Sequence, residues 1–317
     1  MTVPRSRAFS RRAVIASSLG LAGALALGGG RTTTAQSGSI RVAVSTGVLA
    51  DIVANVAGDR ATVSSVMPAN ADPHTWEAGP QDITAVQEAD SFIWMGANLE
   101  RFIESGAWRR AVADAGIPEL IVTDHVELIV RDIVIDHGDH THDLRDGDPH
   151  VWLDPLKVVE MVPAIRDHLA GIDPDGADTY AANADDYVTR ITAIHDEYVA
   201  GLEPLPIEQR KLVVFHDAFT YLAARYGFTI VGVVIDNPGQ DPSAGEIAEL
   251  IDTIERESVP AVFREPQFDA AILDAVAAET DVVIGELITD AFAGVVSSYE
   301  ELLRFNLDSI VTNLVVD

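Results

Sequence analysis

A single apolar stripe near the middle of the chain leaves few architectures open. Tyr187, Ile191, Ile194, Tyr198 and Leu202 recur at spacings of 4, 3, 4 and 4, which sets them on one face of a helix. If residues 180–202 form one helix it is roughly 35 Å long, comparable to the height of a whole lobe. Glu203-Pro204-Leu205-Pro206 ends it. The stretches on either side alternate between strand and helix character, so this helix separates two series of the same kind.

In the first series, 39–46 reads as a strand, 47–58 as a helix closed by Gly58, and 60–67 as a second strand running into the loop 68–80. Residues 81–89 are helical, 90–96 a strand, 99–116 a helix and 118–123 a short strand. The second series has a strand at 211–215, a helix at 217–227 and a strand at 228–235. Ser243 then caps a helix, with Glu246 completing a capping box. A strand at 259–265, a helix from Asp269 to Glu279, a strand at 281–287 and a helix from Tyr299 to Leu314 follow. Alternation of this kind predicts an α/β fold of two similar lobes with mainly parallel sheets, joined by one long helix. The expected boundaries are 37–174 for the first lobe, 175–204 for the linking helix and 205–317 for the second lobe. Ligands usually sit at such a junction.

Residues 1–36 stand apart. Arg5, Arg7, Arg11 and Arg12 form a basic start, the run from Val14 to Leu27 is apolar, and small residues surround Thr33 and Ala35. That is the pattern of an export signal, and the run is too short for a standard membrane span. The stretch 10–15, with Arg11 and Arg12, resembles the twin-arginine signal, against the alternative of an ordinary secretory signal. Its removal would change the formal charge from −29 to −34, since five arginines and no acids go with it. So acidic a chain is a poor match for nucleic acid. The charge either gathers cations or simply keeps an exported protein soluble. There is no cysteine, which excludes disulfides, thiolate metal sites, thiol nucleophiles and a lipid-modified cysteine. Any metal must be held by nitrogen and oxygen.

One pattern occurs twice: Asp72-Pro73-His74-Thr75-Trp76 and Asp148-Pro149-His150-Val151-Trp152. Proline fixes its own backbone and biases the residue before it toward extended geometry, so each imidazole is presented from a stiff turn. A metal ligand needs that stiffness. Either copy alone is equally a turn histidine bonded to a carbonyl; the pair favours ligands. His216 ends the strand 211–215, at the sheet edge where open α/β folds place ligand groups, or else it is a cap or core residue. Asp290 lies just beyond another strand and by itself reads as a cap or turn residue. Together, three imidazoles and one carboxylate can close around Zn²⁺ or Mn²⁺ without sulfur.

These motifs resemble those of the zinc and manganese solute receptors of ABC importers (cluster A-I). The resemblance spans essentially the whole chain after residue 36 and rests on six stretches in order: 72–83, 147–155, 213–228, 239–251, 263–268 and 286–292. It implies two α/β lobes bridged by a rigid helix, with a metal site between them formed by His74, His150, His216 and Asp290. It also implies an exported, non-enzymatic monomer, periplasmic or at the cell surface, that passes its ion to an ABC permease. Manganese-selective members often carry glutamate at the third ligand position and zinc members histidine, so His216 points toward Zn²⁺, with Mn²⁺ the alternative. Imidazole suits zinc better than the harder manganese ion. The sequence departs from many relatives in lacking the lipid-anchor cysteine. The histidine-rich loop of zinc receptors is also short here, covering 136–143.

In that loop His137, His140 and His142 lie among Gly and Asp, an auxiliary metal trap or a plain solvated turn. His125, His168 and His195 read as solvated or core histidines. Trp76 and Trp152 wall the site or pack in the core. Glu77 and Glu265 are candidates to orient an imidazole, although a turn role is preferred for Glu265. The rival function is a secreted metal-dependent hydrolase, which needs an open metal position and a general base. No H-E-x-x-H helix or nucleophile elbow supports it. Ligand histidines must be neutral, so affinity is expected to fall as pH drops below about 6.

Overall fold

The computed structural model describes residues 39–315, apart from 105, 132–133, 137–140, 144, 236–237 and 270. The expected export segment, 1–36, therefore lies outside the described residues.

The first lobe is built from β1 (Ile40–Val44), α1 (Gly47–Ala57), β2 (Ala61–Ser65), α2 (Pro80–Gln87), β3 (Ser91–Trp94), α3 (Arg101–Glu104), α4 (Gly106–Ala115) and β4 (Glu119–Ile121). A two-stranded antiparallel ribbon follows, β5 (Val134–Asp136) with β6 (Thr141–Asp143). Of the loop expected over 136–143, residues 137–140 lie outside the described residues, while Asp136 and 141–143 belong to this ribbon, whose β-branched Val134, Ile135 and Thr141 favour the extended backbone. Next come α5 (Pro155–Ile172) and α6 (Ala177–Gly201). The second lobe has β7 (Lys211–His216), α7 (Thr220–Tyr226), β8 (Thr229–Ile235), α8 (Ala244–Glu257), β9 (Ala261–Arg264), α9 (Ala271–Thr280), β10 (Val283–Glu286) and α10 (Tyr299–Leu314).

Both sheets are parallel, and both have the same strand order. The first runs β2-β1-β3-β4 and the second, read from its far edge, β8-β7-β9-β10. In each sheet the order reverses between the first and third strands of its lobe. Just beyond the carboxyl ends at that point, neighbouring connections diverge and leave a crevice. The stripe on α6 is its buried face: Tyr180, Ala184, Tyr187, Ile191, Ile194 and Tyr198 are all buried. One hydrophobic cluster runs through β1, α1, α5, α6, β7, α7 and α10, so apolar packing is continuous from lobe to lobe.

Helix α5 was not anticipated. Its start is well marked, because Asp154 accepts the Leu156 N–H at 3.0 Å and Pro155 occupies the first turn. Pro163 inside the helix hides the rest, since proline there removes a backbone hydrogen bond and normally ends a helix. Packing against α6 carries α5 through it.

Candidate metal centre

His74 and Asp290 sit on connections leaving the carboxyl ends of strands, His150 in the turn before α5, and His216 at the carboxyl end of its own strand. His74 lies between β2 and α2. Asp72 shapes its turn by accepting the His74 N–H at 2.9 Å and the Thr75 hydroxyl at 2.7 Å. His150 stands in the equivalent turn, where Asp148 Oδ1 accepts both the His150 backbone N–H (3.0 Å) and Nδ1 (2.8 Å). His216 is the last residue of β7, and Glu265 directly follows β9, its neighbour in the sheet. Glu265 Oε1 accepts the His216 N–H at 3.1 Å and sits 2.7 Å from Nδ1. Asp290 lies beyond β10.

The fold brings all four together. One potential donor atom from each lies within 4.8 Å of every other. His74 Nε2 and His150 Nε2 are 3.3 Å apart, and His216 Nε2 is 3.6 Å from Asp290 Oδ2. Donors arranged tetrahedrally at zinc bond lengths of about 2.0–2.1 Å are separated by about 3.3 Å. The four residues are 2–4% exposed. Nδ1 of His150 and of His216 each faces a carboxylate, which fixes a proton there and turns Nε2 inward, where it can serve as the donor once it carries no proton. His216 Nε2 and Asp290 Oδ1 are buried with no hydrogen-bond partner. Buried polar atoms without a hydrogen-bond partner are rare in proteins, and a metal ion bound by them in place of a proton is one group that satisfies them.

The electrostatics are those of a site built for positive charge. Burial acts to lower the His216 pKa, but Glu265, with Asp290 and Asp72 beyond it, outweighs burial and raises it to about 10. Burial raises Asp290 to about 6, against the attraction of His216 and His150. Asp148 is also pushed upward by burial, yet His150 and Arg131 together bring it below its ordinary value. The cluster thus holds its charges only by pairing them.

A turn role for Glu265 is corrected by this geometry: its carboxylate orients His216. Thr289 also donates to Glu265, and Gln267 Nε2 binds both Glu265 Oε2 (3.0 Å) and Thr289 Oγ1 (2.9 Å). Asp148, Thr289 and Gln267 were missed in the sequence. The repeat itself carried a signal for the first, because an aspartate precedes the histidine by the same interval in both copies. Trp152 donates from Nε1 to the Thr289 carbonyl (3.0 Å) with its ring 5.3 Å from His150, so it walls the cluster. Trp76 packs edge-on against Phe102 instead, and Glu77 is exposed. His168 bonds Ser91 and His195 bonds Tyr226, both away from the cluster. His137 and His140 lie outside the described residues, and His142 is carried on β6 opposite Ile135.

Comparison with known proteins points to one family. Residues 42–313 match the family model described as ZnuA, the periplasmic component A of the zinc-uptake complex. The chain is 29% identical over 288 residues to the manganese-binding lipoprotein MntA of Halalkalibacterium halodurans, covering 89% of this chain and 91% of that one. It is 31% identical over 267 residues to the iron-binding protein YfeA of Yersinia pestis, covering 83% and 82%. A crystal structure of ZnuA superposes with a TM-score of 0.74 at 27% identity, over 87% of this chain and all of that one.

Proposed function

We propose, from the premise that this chain belongs to the ZnuA family of periplasmic zinc-uptake components, that it captures Zn²⁺ outside the cytoplasm and delivers it to an ABC-type permease. The observation that carries this reading is the set of four buried donor atoms, three imidazole nitrogens and a carboxylate oxygen, within 4.8 Å of one another. His74, His150, His216 and Asp290 are the proposed ligands. Asp148 and Glu265 orient two of them, and outer partners of this kind raise the basicity of a ligand imidazole.

The ion is cargo. Four protein ligands complete a tetrahedral zinc shell and leave no open position for a reactive water, which argues against the hydrolase reading. Relatives named for manganese and iron show that family alone does not choose the ion. The donor set favours zinc, because imidazole is a better partner for Zn²⁺ than for Mn²⁺. Manganese is the second reading, motivated by MntA.

In this reading residues 1–36 are an export signal of twin-arginine type, and the mature protein works as a monomer in the periplasm or at the cell surface. Its lobes span 37–174 and 205–317, with 175–204 linking them. Zinc and manganese titrated in competition, together with X-ray absorption of the zinc-loaded protein, test the proposal. We expect zinc to win and to show four light ligands without bound water. Preference for manganese moves the assignment to the second reading, and several bound waters sink the receptor reading.

A further inference from the structure

Behind the ligand cluster, Arg131 bridges the two lobes. Arg131 lies on the strap between β4 and β5, which is pinned to the second lobe. The Tyr221 hydroxyl, on α7, accepts the Ile129 N–H (2.9 Å) and donates to the Asp148 carbonyl (2.8 Å). The Ile129 carbonyl in turn accepts the Asp148 N–H (2.9 Å). From this strap Arg131 Nη1 donates to Asp217 Oδ2 at 2.8 Å, and Nη2 to Asp148 Oδ2 at 3.3 Å. Asp217 directly follows His216. Asp148 is the carboxylate whose other oxygen holds His150.

We propose that Arg131 is an interlobe latch for the bound ion: its ion pairs to Asp148 and Asp217 set how slowly the metal is released. The inference rests on the proposed metal site and adds to it a positioning residue that touches no ligand. An ion held by donors from both lobes leaves only when those donors separate, so a bond that spans the lobes opposes departure. Other polar contacts cross the interface, such as Arg225 with Asp154 and Trp152 with Thr289. Among the described residues, Arg131 is the cation whose ion pairs reach both the partner of His150 and the neighbour of His216. It is largely covered, with 22% of its side chain exposed, while Asp148 is fully buried. Screening by solvent is therefore weak, and losing one partner strands the others' charge.

A rival electrostatic effect has the opposite sign. A guanidinium near a divalent cation repels it, so if Arg131 acted only through its charge, removing it would tighten binding and slow release. Latch and repulsion thus predict opposite changes.

The experiment uses the full mature chain loaded with zinc and mixed rapidly with excess chelating indicator. Wild type, Arg131→Gln, Arg131→Lys, Asp217→Asn and the Arg131→Gln/Asp217→Asn double variant are compared. We expect Arg131→Gln and Asp217→Asn each to speed release by about 10–100-fold, as loss of outer partners of a metal site usually does. The double variant should release no faster than the faster single one, because both remove the same bond, and Arg131→Lys should recover most of the slow rate. Slower or unchanged release in Arg131→Gln, or additive effects in the double variant, overturns the latch. If Arg131→Gln does not fold, Asp217→Asn decides alone, since it leaves Arg131 paired with buried Asp148. A wild-type protein that holds no zinc removes the site reading itself. Tight zinc in wild type with unaltered release in the variants removes only the latch.

Discussion

His216 is the residue whose chemistry departs furthest from that of a free side chain. In the metal-free protein its pKa of about 10 keeps it an imidazolium at neutral pH, stabilised by Glu265 and Asp290 against burial. A metal ligand must be neutral, so the incoming ion has to displace that proton. Affinity therefore rises with pH through neutrality and levels off only near the His216 pKa of about 10. It falls more steeply once Asp290 also takes up a proton, near its pKa of about 6. The sequence alone places the loss of affinity below about pH 6; the buried carboxylates around His216 move its onset upward. Calorimetric titration with zinc in two buffers of different ionisation enthalpy, at about pH 7.5, should report about one proton released per ion. Heats that do not depend on the buffer would show that His216 is already neutral before the ion arrives.

At the scale of elements, the second Asp-Pro-His turn depends on the glycine before it. Gly147 has φ +115°, a region open to glycine and closed to L side chains, and a Cβ there would meet Leu128 Cβ at 2.7 Å. Gly147→Ala should cost about 1–3 kcal/mol of stability. By displacing Asp148 and His150 it should also weaken zinc binding about 10-fold or more. Gly116 is the control: its φ is +66°, but an added Cβ has nothing within 4 Å. Gly116→Ala should lose stability without losing affinity. Chemical denaturation and competition titration of both variants check this, and equal losses of affinity would rule out a specific role for the turn. The elements themselves were largely legible. Strands, caps and the α6 stripe are written in neighbouring residues, and the Ser243–Glu246 capping box is present as read. Helix α5 was not, because Pro163 contradicts its local pattern and only tertiary packing overrides it. The expected helix over 217–227 is shorter, Thr220–Tyr226, because residues after His216 first turn to leave the sheet.

For the molecule as a whole, the continuous core means the lobes are not independent folding units. Residues from both sheets, α5, α6 and α10 pack into one cluster, and the Tyr198 hydroxyl on α6 donates to the Leu303 carbonyl on α10 at 2.6 Å. A single cooperative unfolding transition is expected. Zinc in free excess of about 1,000 times its dissociation constant should stabilise the fold by about 4 kcal/mol, a gain lost when a chelator removes it. Scanning calorimetry with and without chelator tests both points, and two separated transitions would show that the lobes unfold independently.

The amino-acid order determined the donor chemistry, because a chain without cysteine can offer a metal only nitrogen and oxygen. It also determined which histidines are presented stiffly, since turn geometry depends on adjacent residues such as Asp148 and Pro149. Tertiary structure decided everything that depends on distance between residues far apart in the chain. Pairing β7 with β9 put Glu265 behind His216, adding β10 to the same sheet carried Asp290 to within 3.6 Å of His216 Nε2, and packing of the lobes set the His150 and His216 rings 5.4 Å apart. It also laid Arg131 between Asp148 and Asp217. Local patterns encode direction and exposure; which surfaces meet follows from how the sheets order their strands and from the core that holds the lobes together.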